Sequence, residues 1–204
     1  NPQLGTECAK QQYTGCLPGR DEVYWFDSCG NLENIYSSNK EQSYSNGFVL
    51  SKEESCNPNN ANVNNPGCGN CNYVLGSGCA LAENNVNSVY GDYACKDLSC
   101  GLNDITQSLA SPASSTPKKL GESWCAYDGV PGFGADLVGS RHYRRLCING
   151  QELREPCKDF REEICVQGIQ GQLPFATQQA FAVSGGDYVE AACRDNRFQS
   201  CAEV

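Results

Sequence analysis

The chain has 204 residues, among them 15 cysteines, 21 glycines and a single histidine, and it carries 24 acidic against 15 basic residues for a net charge of −9. A chain this acidic has no general attraction for phosphate backbones, which argues against a nucleic-acid partner. No stretch approaches the roughly 20 apolar residues that span a bilayer, and the longest weakly apolar region, Leu173 to Val183, is broken by Pro174, Thr177, Gln178 and Gln179.

Cysteine at this density points to an oxidising exterior, where thiols become cross-links. Such cross-links are typically worth about 2–5 kcal/mol each in a small domain. The chain needs that help, because apolar residues are only 39% of it and no large continuous core is expected. Methionine is absent, even at position 1, as expected of a chain from which a signal peptide has been cleaved. The expected setting is therefore extracellular, secreted or at the cell surface, with a mostly β, disulfide-rich fold of small hairpin and sheet units, long loops and a short C-terminal helix.

The N-terminal cysteines begin with Cys8, Cys16 and Cys29. Glu22 to Asp27 (EVYWFD) is rich in aromatic and β-branched residues and reads as a strand. It runs into the turn Ser28-Cys29-Gly30-Asn31, and Leu32 to Tyr36 returns from it. Alternation sets Tyr24 and Phe26 on one face and Trp25 on the other. Tyr24 and Trp25 are accordingly candidates for an exposed surface that stacks on a sugar or seats in a partner, against the commoner fate of packing over a disulfide.

Asn57 to Asn72 is a loop by composition, held by Cys56, Cys68 and Cys71. Cys68-Gly69-Asn70-Cys71 is a CxxC, with Cys79, Cys95 and Cys100 downstream. Four such thiols can hold zinc, but a zinc ribbon shows two CxxC knuckles, and no βαβ pattern supports a thioredoxin-like role. Disulfides are the expected state, with no cofactor and no metal.

Thr106 to Gly121 (TQSLASPASSTPKKLG) is a Ser/Thr/Pro-rich linker or surface strap. It divides the chain into an N-terminal cysteine-rich β domain (1–105), the strap (106–121) and a C-terminal cysteine-rich β domain with a short helix (122–204). O-linked sugar is compatible with the strap's composition, whereas none of the 19 asparagines lies in an Asn-x-Ser/Thr acceptor. Nine cysteines precede the strap and six follow it, so Cys125, Cys147, Cys157, Cys165, Cys193 and Cys201 are expected to close their own bridges. The odd thiol then belongs to the first part.

After the strap, Trp124 to Tyr127 reads as a strand, and Asp128 and Asp136 flank the glycine-rich loop Gly129 to Gly134. Two carboxylates there suit calcium, but no EF-hand spacing supports it. His142 to Ile148 and Gln151 to Glu155 flank Asn149-Gly150, the dipeptide that most readily takes positive φ at both central positions of a hairpin turn. Cys147 stands beside that turn, placed to pin the hairpin to a neighbour. Arg141, His142, Tyr143, Arg144 and Arg145 form a basic run that serves either as a ladder of ion pairs with Glu152, Glu155, Glu162 or Glu163, the favoured reading, or as a small patch for an anion or acidic glycan. Glu162 to Gln167 is a further strand, and Tyr188 to Phe198 carries Val189, Ala192, Cys193 and Arg197 at helical spacing after Gly186-Asp187. The two halves share a scheme of aromatic strand, Gly/Asn turn, returning strand and cysteines. Any short disulfide-linked β unit has that scheme, so it is not read as a repeat.

Four segments carry a resemblance: Asp27-Ser28-Cys29-Gly30-Asn31, Gly139-Ser140-Arg141-His142-Tyr143-Arg144 with Cys147, Glu155-Pro156-Cys157, and Cys193 to Cys201. Together they resemble modules in cysteine-rich secreted proteins of small-genome, nanoarchaeal-type archaea. The resemblance covers about half of the chain and implies a cell-surface setting and no activity.

A lone histidine and the absence of a GxSxG nucleophile signature remove most catalytic schemes. The expected function is a non-enzymatic extracellular structural protein, a self-assembling subunit of a surface filament or sheath, with copies of itself or other surface proteins as partners. The alternative is an adhesin or glycan-binding module, and a secreted hydrolase using paired carboxylates ranks third.

Overall fold

A computed structural model describes residues 7–82, 88–101, 117–127, 141–159, 161–169 and 188–197. Residues 106–116 of the strap, the loop bearing Asp128 and Asp136, the region Leu173 to Val183, and Cys201 lie outside the described residues. The chain forms two compact units, Asn1–Asp97 and Leu98–Val204, divided ahead of the strap. The fold is mostly antiparallel strand, with seven disulfides and one α-helix among the described residues.

In the first unit, β1 (Tyr13–Cys16), β2 (Val23–Phe26) and β3 (Leu32–Ile35) form a three-stranded meander in the order β1-β2-β3. The turn after β2 is tied by Asp27, whose carboxylate accepts from the backbone N–H groups of Cys29 and Asn31, both at 2.8 Å, and from the Asn31 side chain at 2.7 Å. A short helix, α1 (Lys40–Tyr44), starts at Asn39, whose side chain accepts from the Gln42 N–H, and ends where Ser45 turns left-handed. A ribbon of β4 (Ser77–Leu81) and β5 (Tyr93–Asp97) completes the unit and sets Cys79 directly opposite Cys95.

Alternation along β2 sends Val23 and Trp25 into a core shared with Tyr36, Cys71 and Cys95. The Asn-rich loop is ordered by its own amides. The Asn62 side-chain N–H₂ donates to the carbonyls of Asn57, Asn60 and Asn70, and that of Asn70 donates to those of Lys52 and Cys56. Asn57, Asn62 and Asn64 take positive φ, which asparagine tolerates better than most residues.

In the second unit, β6 (Ser123–Tyr127), β7 (Arg141–Ile148) and β8 (Gln151–Asp159) form another meander. Asn149 and Gly150 connect β7 to β8 with φ of 53° and 74°, the left-handed pair expected of an Asn-Gly hairpin. β9 (Glu163–Ile169) and β10 (Val189–Asp195) form a second two-stranded ribbon. The meander and ribbon pack over Cys125, Cys157, Cys165 and Ala191.

The helix expected over Tyr188 to Phe198 is corrected here: Val189–Asp195 is β10, paired residue for residue with β9 from Val189 opposite Ile169 to Asp195 opposite Glu163. Glu190 is exposed beside buried Ala191, and continuous pairing along β9 outweighs the loose helical spacing once that edge is offered.

The cysteine bookkeeping is also corrected. All nine cysteines that precede the strap are bonded, Cys100 to Cys147 beyond it, so the fifteenth cysteine is Cys201 rather than one from the first part. Cys100 and Lys118 also exchange backbone hydrogen bonds, which sets the residue bridged to Cys147 beside a residue of the strap within the second unit.

The bridges reveal that both units follow one plan. With Cys56–Cys68 set aside as an additional clasp in the Asn-rich loop, the first unit has six cysteines bonded first to third (Cys8–Cys29), second to fifth (Cys16–Cys79) and fourth to sixth (Cys71–Cys95). The second unit repeats that order with Cys100–Cys147, Cys125–Cys165 and Cys157–Cys193. In each, the second cysteine lies on the first strand of the meander, and the fifth and sixth stand directly opposite each other on the ribbon. Each of that facing pair bonds away from its neighbour. Six cysteines can pair in roughly 15 ways, so shared connectivity on a shared strand order marks two copies of one module.

Candidate binding surface

The basic run lies on β7, the middle strand of its sheet, where each residue has a neighbour on both sides. Arg144 stands opposite Glu155 and pairs with it at 3.2 Å, and Arg145 pairs with Glu152 at 2.6 Å. Arg154 lies 3.5 Å over the Tyr143 ring. Arg141 is exposed and opposite Asp159, across a bulge that places Cys157 and Lys158 against His142. The Asp159 carboxyl is held below its ordinary range, chiefly by the Arg161 side chain and also by Arg141. Glu163 is held down by the Lys158 backbone N–H and, more weakly, its ammonium. The run therefore behaves as a cross-strand ladder.

His142 turns the other way. It is buried, its Nδ1 accepts the Cys165 backbone N–H at 3.1 Å, and its ring meets Tyr127 edge-on at 4.6 Å.

The aromatic candidates separate. Trp25 is 2% exposed, packs against Tyr36 and Tyr90 at 5.2 and 5.7 Å, and donates to the Ser37 carbonyl at 3.4 Å, so it belongs to the core and not to a surface. The Lys40 ammonium lies 4.9 Å from the Trp25 ring and 4.6 Å from that of Tyr90. Tyr24 is half-buried and donates to Glu22 at 3.0 Å. Burial and then the Glu22 charge push its phenol up to about 12. Burial raises Glu22 in turn, but a 2.7 Å bond from Lys52 and further hydrogen bonds outweigh it and leave that carboxyl below its ordinary value. Among the described residues, the aromatics that do face solvent are Tyr13, Phe48, Tyr73 and Tyr90. Tyr13 stacks on Phe26 across β1 and β2 at 5.2 Å. The strand YTGC carries too weak a pattern to have announced it.

The CxxC is neither a redox pair nor a zinc knuckle, because Cys68 bonds Cys56 and Cys71 bonds Cys95. Its Gly69 lies between β2 and Tyr36, accepting from Val23 N–H at 2.8 Å and donating to the Tyr36 carbonyl at 2.9 Å. Cys8, Asp27 and Cys29 are the one cluster of potential metal ligands among the described residues, but the two sulfurs are bonded to each other and the carboxylate holds the turn. No helix among the described residues is long and apolar enough to cross a membrane. No family model, no curated protein and no solved structure matches this chain.

Proposed function

We propose that the chain is an extracellular structural protein, a self-assembling subunit of a surface filament or sheath, built from two copies of one disulfide-stapled β module. The observation that carries this reading is the repeated first-to-third, second-to-fifth, fourth-to-sixth bridge pattern. Eight of the 15 buried hydrophobic residues described are cysteines, so shape is held by covalent bonds more than by apolar area. Such modules keep their form under load or in hostile surroundings, and repetition is how extended structures are made. The resemblance to secreted modules of nanoarchaeal-type archaea fits the same setting. The glycan-binding alternative has less support, since Trp25 is buried, Arg144 and Arg145 are paired, and Arg154 covers one face of Tyr143.

The test is assembly. Sedimentation velocity and non-reducing gels across a concentration series should show growing species that dilution reverses or that oxidation fixes. A strictly monomeric chain at the highest soluble concentration would count against the filament or sheath.

A further inference from the structure

In both modules the N–H of the fifth cysteine finds its acceptor outside the ribbon. In the first module Cys79 N–H donates to the backbone carbonyl of Asp21 at 2.7 Å. In the second, Cys165 N–H donates to Nδ1 of His142 at 3.1 Å. One structural position thus has two acceptors of different chemistry. A carbonyl never takes up a proton near neutral pH, whereas imidazole is the side chain that does so between about pH 5 and 8. The chain contains one histidine, and it occupies this position.

A backbone N–H can only donate, so Nδ1 is the unprotonated nitrogen and the neutral ring carries its proton on Nε2. His142 is 8% exposed, which adds the cost of burying a charge to any protonation. Tyr127 on β6 meets the ring directly, and the strands around it carry Arg141 and Arg144 on β7, Glu155, Lys158 and Asp159 on β8, Glu163 on β9, and Arg194 and Asp195 on β10. Of these, Arg144 pairs with Glu155 and Lys158 with Glu163, at 3.2 and 3.3 Å, and Arg141 stands opposite Asp159.

We propose that His142 is an acid-sensitive pin between the two sheets of the second module. A proton on Nδ1 turns the acceptor of the Cys165 N–H into a second donor, and the seam between β7 and β9 opens there. The bridges Cys125–Cys165 and Cys157–Cys193 run from β6 to β9 and from β8 to β10, so the ribbon stays tethered and closes again when the proton leaves. An ordinary histidine takes up its proton near about pH 6.5, so the pin holds above that range, where Nδ1 is free to accept, and is lost as acid protonates it. The first module has no counterpart and serves as an internal control.

The experiment is amide hydrogen exchange on the full oxidised chain, corrected for intrinsic rates, with the His142 ring followed by NMR. Between about pH 7.5 and about pH 5, Cys165 protection should fall at least about tenfold, while Cys79 should hold within about twofold. His142→Gln supplies an acceptor that does not titrate and should flatten the Cys165 response. Should that variant fail to fold, the comparison of Cys165 with Cys79 in the unaltered chain still decides. Cys165 protection that stays constant over this range, or that falls in step with Cys79, would overturn the proposal.

Discussion

Gly69 lies where the backbone of the CxxC passes closest to β2. A Cβ on it would come within 2.6 Å of the Val23 Cβ, 2.9 Å of the Tyr36 Cβ and 3.0 Å of the Val23 carbonyl oxygen. None of these atoms is the free end of a flexible chain, so the strand or the loop must shift. Gly69→Ala should destabilise the first module by about 1–3 kcal/mol, the usual cost of overpacking, measured by chemical denaturation; a change below about 0.5 kcal/mol would show that the approach is looser than described. The second residue-scale prediction concerns Glu22, whose folded-state carboxyl lies below its ordinary 4.5 on balance of burial against Lys52 and other hydrogen bonds. A lowered folded value means stabilisation that is complete above the unfolded value and is lost as pH falls through the folded one. The first module should therefore lose stability on acidification below about pH 4.5, and Glu22→Gln should blunt that loss. Thermal melting across pH reads both, and parallel acid curves for the two proteins would remove Glu22 as the cause.

At the scale of elements, the bridges are not equivalent. Cys56–Cys68 spans 12 residues and clasps one loop, while Cys16–Cys79 spans 63 and joins β1 to β4. Loop-closure entropy assigns about 3 kcal/mol to the first and about 4 kcal/mol to the second, and the longer bridge also carries the shared plan. Paired Cys→Ala replacement at 56 and 68 should lower the melting point less than replacement at 16 and 79 and leave the other bridges formed. Equal losses, or scrambling of the remaining bridges when Cys56 and Cys68 are removed, would deny that this clasp is an addition to the module.

The same scale shows what could be read along the chain. The β7–β8 hairpin was legible because the Asn149-Gly150 turn is local chemistry, satisfied by two residues. The ladder on β7 was legible because its acids follow within a hairpin's reach. β10 was not, because its strand state depends on β9, some 20 residues away in sequence, and its own spacing fits either period. Trp25 stands open between a binding surface and packing over a disulfide because alternation separates faces without saying which is inside; Cys71 and Cys95, far along the chain, decide for the core. The pin at His142 needed the position of Cys165, again a tertiary fact. The repeat was hidden by Cys56 and Cys68, which raise the first module's count to eight and obscure the correspondence of the other six.

At the scale of the whole molecule, every described bridge closes within one unit: four in Asn1–Asp97 and three in Leu98–Val204. A module that holds its own core and its own staples should fold alone. Residues 1–97 and 98–204, produced separately under oxidising conditions, should each give a cooperative melt and the bridges assigned above. A half that folds only with the other present would mean that the units are parts of one fold.

Repetition of one stapled module is the central claim, and a disulfide map of the unreduced full chain by peptide mass spectrometry tests it most directly. The account predicts Cys8–Cys29, Cys16–Cys79 and Cys71–Cys95 in the first unit, Cys100–Cys147, Cys125–Cys165 and Cys157–Cys193 in the second, with Cys56–Cys68 in addition and Cys201 outside every intrachain bridge. A bridge joining residues 1–97 to residues 98–204, or a different order among either set of six, would contradict it.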